Sequence, residues 1–350
     1  MSYFRSNIER MSGYTPGEQP KDGIYVKLNT NENPYPPSSK VLNAIKEAVN
    51  DSLRLYPDPV ATTARLKIAE ALGTKPEYIM VGNGSDDLLT IITRSFAGQG
   101  DKVVFPYPSY PLYKTLAELQ DAEPYAVDFT EDYTLQKNFA VKGAKITFVA
   151  NPNSPSGTTL SPKDISQIAS QVDGVLVVDE AYADFGDDNC LSLVEKHNNI
   201  LILRTLSKSY SLAGIRFGFC IAQESLIKGM MKVKDSYNAD RLSIIAAVAA
   251  LDDQKYMKAN VEKIKETKRY LIKSLQNMGF FVYPSHTNFV LARCMKGVSA
   301  HDLYLALKSR KILVRYFGLR RLDDCLRITI GTQEEIDTLL KNLKELVHIK

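Results

Sequence analysis

Between residues 78 and 222, short apolar runs recur along the chain, most of them separated by stretches with helical periodicity. The runs are YIMVG (78–82), KVVFP (102–106), KITFVA (145–150), GVLVVD (174–179), ILILRT (200–205) and IRFGFCIA (215–222). Several are apolar at every position, as expected of strands covered on both faces. DLLTIITRSFA (87–97) and PKDISQIASQV (162–172) instead space their apolar residues as a helix does. Alternation of the two predicts an α/β fold, with a mainly parallel sheet flanked by crossover helices. The longest apolar run, IIAAVAAL (244–251), is far too short for a bilayer and reads as a buried helix.

The pattern changes near residue 253. A helix rich in lysine and glutamate runs over about 253–278 and stops at Gly279, a plausible C-cap. Then follow FFVYPS, TNFVLARC, a helix HDLYLALKSRK, ILVRYF, CLRITIG and a last helix. Thr332 and Glu335 open that helix in capping-box spacing, and Ile336, Leu339, Leu340 and Leu343 form its apolar stripe. Residues 1–40, rich in Pro, Gly and Asn, read as an irregular arm. These shifts predict an arm over 1–40 packing with a small domain, a large domain over 41–265 and a small α+β domain over 266–350.

Composition narrows the function classes. A chain of 350 residues with 44% hydrophobic and 24% charged residues can build one large core and a smaller one. A net charge of +4, with basic residues dispersed, argues against a nucleic-acid surface. Cys190, Cys220, Cys294 and Cys325 form no CxxC pair, and the four histidines form no HExxH, so neither a disulfide framework nor a metal site is expected. MSYFRSNIER has no apolar stretch like that of a signal peptide, so a soluble cytoplasmic protein with no membrane partner is expected.

Ligands of open parallel sheets bind at the carboxyl ends of the strands, so the residues after each run matter most. Asp179, Glu180, Ala181 and Tyr182 follow VLVV; Arg204 and the loop with Ser207 and Lys208 follow ILIL. GNGSDD (82–87) opens a helix, NPNSPSG (151–157) follows ITFVA, and PYPSY (106–110) follows KVVF. Neither GxxxxGK[ST] nor GxGxxG is present, which disfavours a P-loop or dinucleotide site. Each segment alone is weak: Asp179 could be an N-cap, Tyr110 and Tyr182 core aromatics, Lys208 a solvated loop lysine. Together they match pyridoxal 5'-phosphate, which needs a lysine to bind covalently, an acid for its ring nitrogen, a phosphate cup and a ring to stack on. Lys208, Asp179, the helix start at Gly84-Ser85-Asp86 and Tyr110 supply one group for each need. Ser207 and Arg216 flank the lysine and can add a hydroxyl and a guanidinium to the same phosphate.

On these residues the chain resembles the fold-type-I aminotransferases, and within them the histidinol-phosphate branch. SGYTPGEQP (12–20), LNTNENPYPPS (28–38), RLYPDP (54–59), GNGSDD, NPNSPSG, VVDEAYADF (177–185), RTLSKSYSLAGIRFG (204–218) and CLRITIG (325–331) carry the resemblance over nearly the whole chain. It implies that Lys208 is the catalytic residue and holds the cofactor, and that Asp179 pairs with the pyridine nitrogen. Tyr182 would bond the cofactor's phenolic oxygen and Tyr110 would stack on its ring. Ser85, Asp86, Ser207 and Arg216 fall at the phosphate site, and Tyr56 where a partner subunit reaches in. Arg327 would grip the substrate anion with Arg315 beside it, and Tyr14 and Asn31 match substrate-side positions of the arm. Many relatives read Asn-Pro-Thr-Gly where this chain has Ser154-Pro155-Ser156-Gly157; Asn153 is expected to take over the bond to the phenolic oxygen, with Ser154 as the alternative. The implied reaction converts L-histidinol phosphate and 2-oxoglutarate to imidazole-acetol phosphate and L-glutamate, in a homodimer with shared active sites. An aromatic-amino-acid aminotransferase, a threonine-phosphate decarboxylase and a non-catalytic regulator on the same scaffold are the rivals.

Overall fold

The computed structural model describes residues 2–347. In chain order its strands are β1 (Val26–Lys27), β2 (Ile79–Gly82), β3 (Lys102–Tyr107), β4 (Glu123–Asp128), β5 (Ala144–Ala150), β6 (Val175–Asp179), β7 (Ile200–Thr205), β8 (Gly218–Ala222), β9 (Phe281–Val282), β10 (Phe289–Arg293), β11 (Ile312–Leu313) and β12 (Cys325–Thr329). The ends of the expected first and last segments, residue 1 and residues 348–350, lie outside the described residues.

Seven strands make the main sheet, in the order β2-β8-β7-β6-β5-β3-β4. All neighbours run parallel except β8, which is antiparallel to both β7 and β2. The fully apolar runs are buried throughout: β2, β6 and β8 expose no residue. Helices cover both faces, as crossover connections between parallel strands require. Apolar cores lie on either side of the sheet, one built around Ile202 and Phe217, the other around Leu89, Tyr113 and Phe148.

Two details depart from the expected pattern. The edge strand β4 was not anticipated, because only Val127 in EPYAVD is buried. The run at 215–222 becomes a strand only from Gly218, since Arg216 adopts a left-handed conformation at φ 56° and turns the chain first.

Helix Gln254–Asn277 runs for 24 residues and ends ahead of Gly279 at φ 93°. The antiparallel sheet β9-β10-β12 packs beneath it, around Phe289, Ile328 and Leu339. Helix Gln333–Val347 starts with the expected reciprocal bonds between Thr332 and Glu335. Helix Arg241–Leu251, which holds the longest apolar run, is largely buried in the main core. The N-terminal segment is less irregular than its composition suggests. Ser6–Arg10 is a short helix whose Asn7 bonds the carbonyls of Glu118 and Leu119, and β1 pairs with β11. Among the described residues no helix is long and apolar enough to cross a membrane, and no cluster could hold a metal ion.

Candidate active site

One cleft collects the carboxyl ends of β6 and β7, the start of helix Gly84–Phe96, the N-terminal segment and the bridge of Arg315 with Arg327 of β12. Of the site residues expected from sequence, all line it except Asn153 and Tyr56.

Asp179 ends β6, one strand from the loop that bears Lys208. Its carboxyl accepts the Tyr113 hydroxyl on Oδ2 at 2.8 Å and the Ala181 amide on Oδ1 at 3.2 Å. Burial outweighs these donors and pushes its pKa up to about 6. Lys208 lies five residues beyond Leu203, the β7 partner of Asp179. Its Nζ is 3.5 Å from the Thr30 carbonyl and 5.7 Å from the centroid of the Tyr182 ring. Asn33 fixes the lysine's backbone by donating to the carbonyls of Lys208 (2.9 Å) and Ser209 (3.2 Å). Beneath this loop, buried Glu180 accepts from Arg204 at 2.7 Å and Arg204 reaches Asp184 at 3.4 Å.

Tyr110 sits over the cleft with its ring edge-on to Tyr113, centroids 5.6 Å apart, and to Tyr14 at 5.9 Å. Its hydroxyl donates to Asp86 Oδ1 at 3.1 Å, and burial raises its pKa well above that of a free tyrosine. Tyr182 accepts from Asn31 Nδ2 at 2.8 Å, while the Thr329 hydroxyl donates to Asn31 Oδ1 at 3.0 Å. Asn31 holds this position at φ 58°, a left-handed conformation that asparagine tolerates better than most residues.

A cup forms where three segments converge. Helix Gly84–Phe96 presents its first turn, whose amides have no acceptor within the helix. Ser207 accepts from Thr205 at 2.9 Å and from Arg216 Nη1 at 3.4 Å, and Arg216 Nη2 reaches Asp86 at 3.4 Å. The approach depends on missing side chains. A Cβ on Gly84 would lie 2.5 Å from Arg216 Nη2, and one on Gly218 would lie 2.7 Å from Gly84 C and Ser85 N.

Across the cleft stand two arginines. Arg315 and Arg327 exchange both backbone hydrogen bonds at 2.9 Å, so their side chains are neighbours. Arg327 is half-buried, with its Nε enclosed. It donates to Ser154 Oγ at 3.2 Å and to the Asn29 carbonyl at 3.0 Å, while its Nε has no acceptor. Among the described residues no carboxylate pairs with either arginine, and burial lowers the pKa of Arg327. Both cations rest instead 5.3 Å from the centroid of the Phe317 ring. Two half-buried cations side by side without a counter-charge favour the arrival of an anion.

Asn153 and Ser154 divide differently from expectation. The Asn153 amide is consumed away from the cleft: it accepts from Ser109 at 2.8 Å and donates to Ser156 at 2.8 Å. Ser154 is the side chain that faces the cleft. Tyr56 is 78% exposed and stacks on Tyr237 at 4.5 Å, outside the cleft. Sequence reading missed Tyr113, Asn33, Thr205 and Phe317. Only Tyr113 left a trace, its i,i+3 spacing from Tyr110 at the head of a helix.

The aminotransferase class I and II family model matches residues 23–343. The chain is 45% identical to histidinol-phosphate aminotransferase 1 of Nostoc sp., over 99% of this chain and 98% of that one. It is 46% identical to the Rhodopirellula baltica histidinol-phosphate aminotransferase, over 96% and 94%. Among solved structures, the Sinorhizobium meliloti histidinol-phosphate aminotransferase in complex with pyridoxal-5'-phosphate matches with a TM-score of 0.89 and 26% identity, over 99% and 98% of the two chains. A lysine and an aspartate at adjacent strand ends, a helix-start cup and full-length similarity at this level place the chain in the aminotransferase class I and II family, among the histidinol-phosphate aminotransferases.

Proposed function

We propose that the protein uses pyridoxal 5'-phosphate to transfer the amino group of L-histidinol phosphate to 2-oxoglutarate, giving imidazole-acetol phosphate and L-glutamate in histidine biosynthesis. One observation carries this beyond family membership. The cleft sets an amine and a buried carboxyl past adjacent strand ends against a half-buried guanidinium that no carboxylate among the described residues neutralises.

The residues fit the cofactor. Asp179 sits where its charged form is disfavoured, so a cationic ring N–H against it would restore the charge. The cup's amides, Ser207 and Arg216 form a donor set suited to a phosphate dianion, and Tyr110 offers an aromatic surface. When bound, pyridoxal phosphate supplies an aldehyde that carries the amino group and a ring that takes up the electron pair released at the substrate carbon.

Lys208 holds the cofactor through Nζ, then moves the proton at the amine-bearing carbon of the substrate. Tyr182 accepts from Asn31, which leaves its own proton for the cofactor's phenolic oxygen. Ser154, which lines the cleft where Asn153 does not, is the side chain that would take the bond to that oxygen assigned to Asn153 from sequence. Arg327 and Arg315 take the phosphate of one substrate and the carboxylate of the other in turn, because a guanidinium fork bonds both. Tyr14 and Asn31 bound the substrate end of the cleft. We further infer a cytoplasmic homodimer in which Tyr56 serves the partner's cleft, and a chain divided into an arm (1–40), a large domain (41–265) and a small domain (266–350).

The test is a substrate panel on purified protein. L-histidinol phosphate should exceed phenylalanine and tyrosine in kcat/KM by about a hundredfold. Preference for the aromatic acids would reassign the enzyme, and turnover of threonine phosphate without a keto acid would make it a decarboxylase. Borohydride should fix the cofactor on Lys208; an adduct on any other lysine would overturn the site.

A further inference from the structure

Between the paired Arg315 and Arg327 the chain makes a nine-residue excursion, 316–324, whose tip is Arg320-Arg321. The tip grips the far edge of the main sheet. Arg320 donates two hydrogen bonds to the carboxylate of Asp128, the last residue of β4, at 2.7 and 2.8 Å. Its guanidinium lies 4.8 Å above the ring of Tyr107, whose hydroxyl donates to the Arg320 carbonyl at 3.0 Å. Arg321 donates to the Phe129 and Thr130 carbonyls, both at 2.5 Å, and lies 5.6 Å from the Tyr133 ring.

An isolated exposed ion pair contributes little to stability. This contact is different in kind, because a bidentate fork fixes direction as well as distance and a ring supports it from below. It also sits where direction matters. Phe317, which supports both anion-binding arginines, is three residues from Arg320, across Gly318, which holds a left-handed φ of 60°. Tyr107 is three residues before Tyr110 on the cofactor side of the cleft. The clasp therefore ties the support of the anion site to the segment that carries the cofactor's aromatic wall.

Resting on the aminotransferase reading above, we propose that Arg320 and Asp128 are positioning residues. Their clasp holds Phe317, and through it the Arg315 and Arg327 guanidiniums, at the spacing that the substrate anion requires. The anion takes no part in the bond changes at the amine-bearing carbon, so its grip is nearly equal in the ground and transition states. Loosening it raises KM and spares kcat.

The experiment uses the cofactor-loaded enzyme with Arg320→Ala, Asp128→Ala and the double variant. Each single change should raise KM for histidinol phosphate about five- to tenfold and leave kcat within about twofold. Because one contact is removed in all three, the double variant should match the singles rather than multiply them. Hydrogen exchange should quicken in residues 316–322 of the variants and hold elsewhere. Unchanged KM in both single variants, multiplicative effects, or equal losses in kcat with general unfolding would overturn the proposal. Wild-type enzyme without activity on histidinol phosphate would instead overturn the substrate reading, while the exchange result would still report on the clasp.

Discussion

The hydroxyl of Tyr113 donates a 2.8 Å hydrogen bond to Asp179 from a position with no exposed surface. Phe148 stacks on the Tyr113 ring at 4.6 Å with the planes 3° apart, so the hydroxyl has nowhere else to point. The bond favours the charged carboxylate, and burial of the tyrosine raises its own pKa well above normal. Tyr113→Phe should keep the fold and weaken cofactor binding roughly tenfold, the loss expected for a hydrogen bond to a charged group. Dialysis against dilute cofactor, followed by absorbance, would measure it; retention equal to wild type would remove Tyr113 from the site.

The raised pKa of Asp179 makes the cofactor-free protein sensitive to pH. Below about 4 the carboxyl is neutral in both folded and unfolded chains and no penalty arises. Between about 4 and 6 the unfolded chain releases the proton and the folded one keeps it, so stability falls as pH rises. Above about 6 the loss is complete and levels off. A rise from 3.8 to about 6 corresponds to about 3 kcal/mol at neutral pH. Denaturant unfolding of cofactor-free wild type and Asp179→Asn from pH 4 to 8 should show this slope in the wild type only. Parallel curves would mean that the carboxyl is already ionised.

Arg327 and Arg315 should differ in what they do for each substrate. Arg327→Ala should impair both half-reactions, each by about a hundredfold, and Arg327→Lys should restore only part, since an ammonium lacks the fork. Arg315→Ala should harm histidinol phosphate more than glutamate, because a dianion makes more of the second cation. Single-turnover rates for each half-reaction separate these outcomes. Small equal losses in both variants would favour an aromatic substrate.

Tyr56 is tested by complementation. Mixing inactive Lys208→Ala with Tyr56→Phe should form heterodimers in which one cleft has both residues intact. Activity should then rise above the sum of the separate proteins. A fully active monomer would exclude the shared site.

Much of this was legible along the chain, for a physical reason. Strands buried on both faces, such as Leu201–Leu203, are apolar at every position, and a parallel sheet gathers their carboxyl ends, so Asp179, Ser207 and Lys208 could be placed from sequence. Edge strand β4 could not, because its mostly uncovered residues show no period. Asn153 and Ser154 show a second limit: adjacent residues point opposite ways, and nothing in their spacing says which faces the cleft. Tyr113 shows a third, since a helical residue counts toward a site only when the helix's rotation is known.

The cup at Gly84 and Gly218 has a consequence for how this enzyme tolerates change. Its width is set by two absent methyl groups, one on the helix start and one on β8, a strand that contributes no donor of its own. An alanine at Gly218 alters no charge and deletes no hydrogen bond, yet its methyl would occupy the space in which the helix start lies. The site is therefore guarded by volume as much as by chemistry. Drift at a silent-looking strand position can close it while every polar residue stays in place.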